Sequence, residues 1–151
     1  YTMLAQAPSE SKQKEVITAT PTTTLEEAMD LLIKNKIGCL PIVDDAGKLI
    51  GIVSDKDIFE KIHETKGQYH ELRLEHLMQT ELIVGLLDDD LSYIAGIMDK
   101  NWIRHVPLVD GDHVIGMVSQ RDIHRTFVRN KEVENRYLMD MLEKRDKSGD
   151  I

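Results

Sequence analysis

The chain repeats itself, and that repetition limits its possible folds more than any other feature. A shift of 66 positions lays Glu15–Asp44 on Glu81–Asp110 without a gap, with identities at Ile17/Ile83, Leu25/Leu91, Lys34/Lys100, Asn35/Asn101, Ile37/Ile103, Pro41/Pro107, Val43/Val109 and Asp44/Asp110. One residue is lost in the following turn. At an offset of 65, Gly51–Ile58 then falls on Gly116–Ile123, with five of eight positions identical. Each copy must therefore build the same unit. A single small unit leaves one apolar sheet face uncovered, and packing against its twin is the simplest remedy. The expected fold is α+β: two β-α-β-β-α units packed sheet-to-sheet with pseudo-two-fold symmetry. Residues 15–66 form the first repeat, 67–128 the connector and second repeat, 1–14 an N-terminal tail and 129–151 a C-terminal helix and tail.

Apolar periodicity supplies the elements. Val16–Thr18 reads as a short strand. Leu25, Ala28, Met29, Leu32 and Ile33 recur at helical spacing after Thr24, whose partner Glu27 completes a capping-box pattern. Cys39–Val43 and Leu49–Val53 flank the turn Asp44–Lys48 and read as a hairpin. A second helix starts near Ser54, with Ile58, Phe59 and Ile62 on one face. In the second copy the helix covers Leu91–Asn101, the strands cover Val106–Val109 and Val114–Val118, and the closing helix begins near Ser119. Val133, Tyr137, Leu138, Met141 and Leu142 continue a helical stripe, and Lys144–Ile151 is expected to fray.

Two motifs could carry chemistry. Ser54/Asp57 and Ser119/Asp122 form Ser-x-x-Asp where a strand becomes a helix. The first amides of a helix lack partners within it and attract anions, and an aspartate one turn in could accept both hydroxyls of a ribose. The same pattern is equally a capping arrangement serving stability alone. The second motif precedes each proline: Ile37–Pro41 and Ile103–Pro107. Exposed main-chain groups there could bond an adenine edge, or these residues could simply begin core strands.

Together these segments resemble the CBS-domain family in its tandem form, the Bateman module, over about Glu15 to Val128. The resemblance implies a regulatory module binding an adenosine compound (AMP, ADP, ATP, NAD(H) or S-adenosylmethionine), with AMP or ATP favoured and no cofactor required. It implies two clefts. Ser119 and Asp122 face Ile17, Thr18, Gly38, Cys39, Leu40 and Pro41 in one; Ser54 and Asp57 face Ile83, Arg104, His105, Val106 and Pro107 in the other. Lys56, Arg104, His105 and Arg121 are the basic candidates beside phosphate. The acidic turn Asp88–Asp90 stands where the first copy has Thr20–Thr24, so the two sites are expected to differ. The alternative is a structural dimerisation module with vestigial, unoccupied clefts.

Charge and composition narrow the partners. A net charge of −8 disfavours a nucleic-acid surface. The apolar runs are too short to span a bilayer. With a single cysteine no internal disulfide forms, which fits a reducing, cytoplasmic setting. No nucleophile–base pattern or metal-ligand spacing stands out, so no enzyme is expected; the resemblance implies an energy-sensing module, homodimeric, acting on an unidentified regulated protein.

Overall fold

In a computed structural model, which describes residues 15–149 with side chains to 145, the element order is α1 (Leu25–Asn35), β1 (Cys39–Val43), β2 (Leu49–Ser54), α2 (Asp55–Glu64), a 3-10 turn (Leu74–His76), α3 (Leu91–Asn101), β3 (His105–Asp110), β4 (His113–Ser119) and α4 (Gln120–Gly149). The tail of residues 1–14 lies outside the described residues. The fold is mixed α and β, with one antiparallel hairpin per repeat: β1 with β2, and β3 with β4. Both hairpins carry a register shift at equivalent places, Ile42/Val43 and Leu108/Val109.

The first strand of each repeat is shorter than its apolar residues suggest. Val16–Thr18 joins no ladder. Ala19 alone bridges Ile42 in parallel, donating to the Pro41 carbonyl (3.0 Å) and accepting from Val43 N–H (2.9 Å). Pro21 and Thr22 then turn the chain, closed by Thr23 N–H on Thr20 O (3.1 Å), and Pro21 has no N–H with which to continue the ladder. Gly85, 66 residues on, repeats the arrangement against Pro107 and Val109.

The caps show why the helices begin and end where they do. Thr24 Oγ1 accepts from Glu27 N–H, and Asp90 plays the same part for Ser92. Lys36 and Trp102 close α1 and α3 in the left-handed region, with φ of 52° and 57°. α4 holds helical geometry through Gly149, so Lys144–Gly149 extends the helix where fraying was expected. Phe59 and Ile33, placed on buried helix faces by spacing alone, are 73% and 77% exposed. A helix lying on a two-stranded hairpin buries a narrow stripe, and residues at its margin stay in water.

Each repeat has its own core. Leu25, Leu32, Leu40, Ile42, Val53 and Ile58 cluster in the first with Leu74 from the connector; Leu91, Ile94, Met98, Val106, Leu108, Val118 and Ile123 cluster in the second. The halves meet along their hairpins. Leu49 N–H donates to Asp112 O (2.9 Å), Lys48 bridges His113, and His113 Nδ1 lies 3.0 Å from Gly47 O. At the other end, Gly38 lies against the His105 ring. Turns adjoin turns and strand starts adjoin strand starts, as a two-fold axis running along the hairpins requires.

Candidate functional site

The two Ser-x-x-Asp motifs take the same shape. Ser54 ends β2 and caps α2. Its Oγ accepts from Asp57 N–H (3.2 Å), and Asp57 Oδ2 accepts from Ser54 N–H (2.9 Å). Ser119 and Asp122 reciprocate at 3.0 and 3.4 Å. The first amide of each helix is also taken. Asp55 N–H donates to Gly38 O (2.9 Å) and Gln120 N–H donates to Arg104 O (2.8 Å). In α2 the next amide, Lys56 N–H, bonds the Asp55 carboxylate at 2.7 Å. The expectation of open helix-start amides for phosphate is therefore corrected at α2, whose first three amides are satisfied by the protein itself.

A cavity of about 260 Å³ opens at the start of α2. It brings together six of the sequence candidates, Cys39, Ser54, Lys56, Asp57, Arg104 and His105, so it is built from both repeats. Cys39, expected beside Ser119 and Asp122, lies on this wall. Ile103, from the motif before the second proline, is also on the wall, while Asp55, Glu60, Ile52, Gln79 and Trp102 complete it and were not foreseen. Gln79 comes from the connector. It is held by an antiparallel bridge to Ile52 and donates through Nε2 to Asp57 Oδ1 (3.1 Å). The lining carries three carboxylates (Asp55, Asp57, Glu60) against two fixed cations (Lys56, Arg104) and His105. Such a balance attracts a polyanion weakly at best.

Other candidates fall elsewhere. Leu40, Pro41 and Val106 are fully buried, and Pro107 is buried with them. The side chains of Leu40 and Val106 pack in the two cores. Ile17 packs on the first core, and Thr18 and Ile83 are half-buried. Asp122 is buried at 6% exposure, while Arg121 is exposed. In the acidic turn, the Asp89 and Asp90 carboxylates accept from Leu86 and Ser92 N–H, both at 2.8 Å. They are engaged in building the turn.

Burial, reinforced by Asp57 and then Asp55, pushes the Cys39 thiol far above the usual thiol range. The group is a protonated wall of the cavity and no nucleophile at neutral pH.

The sequence of each half matches one family description, "CBS domain", at residues 12–64 and 74–129. The chain belongs to the CBS-domain family. Among curated relatives, this CBS pair is 36% identical over 115 residues to L-aspartate semialdehyde sulfurtransferase of Methanocaldococcus jannaschii, covering 76% of this chain and 22% of that protein. It spans about a fifth of that enzyme, whose activity belongs to the larger protein. A second relative, the CBS domain-containing protein YhcV of Bacillus subtilis, is 29% identical over 109 residues, covering 72% of this chain and 76% of its own length. Among solved structures, the CBS domain pair of protein MJ0100 in complex with 5'-methylthioadenosine and S-adenosyl-L-methionine superposes with a TM-score of 0.73 at 33% identity, covering 86% of this chain and 99% of that one. No helix among the described residues is long and apolar enough to cross a membrane.

Proposed function

We propose that this CBS pair is a regulatory module that binds an adenosine compound of low negative charge in the Ser54/Asp57 cavity. The observation that carries it is the convergence of Asp57, Arg104 and His105 from the two repeats on one hollow. Asp57 makes one hydrogen bond through each oxygen. A carboxylate has about four acceptor positions, so capacity remains for a ribose diol. Three lining carboxylates work against a triphosphate. That shifts preference from ATP toward methylthioadenosine, S-adenosylmethionine or AMP, and the two ligands of the MJ0100 pair point the same way. A ligand spanning both repeats favours one relative orientation of the halves, which a partner protein reads.

Binding at a hundredfold excess over Kd stabilises the fold by about 2.7 kcal/mol. For a chain of this size the melting temperature then rises by about 5–10 °C. A thermal-shift series with methylthioadenosine, S-adenosylmethionine, AMP and ATP tests this, and no rise at millimolar concentration with any of them would refute the proposal. Asp57→Ala is expected to weaken binding at least tenfold while lowering stability by about 1 kcal/mol, the cost of a lost cap. Under the scaffold alternative only the stability loss appears.

We also infer that the module pairs through α4. Val133, Tyr137, Leu138, Met141 and Leu142 are each at least half exposed on it. Leu138→Glu combined with Leu142→Glu is expected to halve the mass seen by sedimentation velocity; an unchanged mass rules out this face.

A further inference from the structure

Trp102 is the only tryptophan in the chain, and it is 95% exposed. Its position does not call for one. It is the left-handed residue that closes α3, with φ of 57° and its N–H on Met98 O. Such positions favour glycine or asparagine, and a bulky side chain there is an outlier. The equivalent residue of the first repeat, Lys36, caps α1 in the same conformation with the solvated side chain expected of a surface site. Trp102 thus contributes to neither core, and its indole leaves a large apolar area in water.

A cavity opens beside Trp102. Trp102 lines the hollow that also holds Ser54, Asp57 and Arg104, whose wall includes the apolar Ile52 and Ile103. We propose that Trp102 is a stacking platform for a flat aromatic base, closing over the purine of a ligand whose ribose is held by Asp57. The proposal rests on the adenosine reading above and deepens it by naming the group that recognises the base. Stacking on an aromatic side chain is tolerant of base identity, because every base has a π-face. Selectivity for adenine over guanine is then expected to be weak at this platform.

The single tryptophan makes the test direct, since emission reports this residue alone. Calorimetry and intrinsic fluorescence are run with methylthioadenosine and AMP on the wild type, Trp102→Phe, Trp102→Ala and Trp102→Lys, the last copying the first repeat. The expected result is quenched emission on binding, a Kd about tenfold weaker in the alanine and lysine variants, and a Kd within about threefold of wild type for phenylalanine. Melting temperatures of all variants without ligand should match, because the side chain is exposed. If the wild type binds while its emission stays constant and Trp102→Ala binds equally well, the platform is refuted and the adenosine site stands. If Trp102→Ala instead shifts the oligomeric mass at unchanged affinity, the platform is likewise refuted. If the wild type binds neither compound, the adenosine reading falls first and this inference with it.

Discussion

Leu108→Ala is expected to lower the free energy of unfolding by about 3 kcal/mol. Leu108 is fully buried in the second core and its strand partner is Gly116, which offers no side chain to fill a void. Its neighbourhood is already tight: a Cβ placed on Gly85 lies 3.1 Å from Leu108 and 3.0 Å from Ile94. Walls packed to that density collapse only partly when a leucine is cut back, so the cavity cost adds to the lost transfer energy. Ile42→Ala, its counterpart in the first repeat, is expected to cost a similar amount. Ile42 and Leu108 belong to separate core clusters. The two losses should therefore add to within about 0.5 kcal/mol. Urea denaturation read by circular dichroism checks both points. A single transition is expected in each variant, because hydrogen bonds such as Leu49 to Asp112 tie the halves together. A biphasic melt for Leu108→Ala would show instead that the repeats unfold independently.

Much of this architecture was legible because the repeat fixes equivalent positions. Pro41 and Pro107, the two Ser-x-x-Asp helix starts and the paired hairpins all lie where the offset puts them. The volumes also trade within it. The first repeat sets Ala19 at the parallel bridge and has Ala28 in the helix, while the second sets Gly85 at the bridge and Ile94 in the helix. The methyl missing at Gly85 leaves room for part of the larger Ile94, whose Cδ1 lies 3.0 Å from where a Cβ on Gly85 would stand. What the sequence hid was the destination of each side chain. Leu40 and Val106 flank the prolines in a motif that resembles a binding edge, yet alternation along a strand sends them into the cores. Gln79 sits in the connector, and only tertiary pairing with Ile52 brings it to Asp57. The helix-start amides of α2 looked open because their partners, Gly38 O and the Asp55 side chain among them, are set by the chain's path and by rotamers that composition does not reveal.

The stability of the protein is expected to fall by about 2 kcal/mol more between about pH 9 and pH 11 in the wild type than in Cys39→Ala. The thiol is 4% exposed, and burial together with the carboxylates of Asp57 and Asp55 raises its pKa far above the ordinary 9.0. The sign follows from where the proton is held. In the folded chain Cys39 stays protonated throughout this window, while in the unfolded chain it ionises as the pH passes its ordinary value. The unfolded state then binds fewer protons than the folded one, so stability declines as pH rises, by up to about 1.4 kcal/mol per unit. The contribution is fully present below that value and is lost progressively on the way to the folded one. Contributions common to both proteins cancel in the difference. Urea midpoints measured at intervals across the window give the comparison, and parallel curves would mean that Cys39 is far less shielded than its buried place at the start of β1 implies.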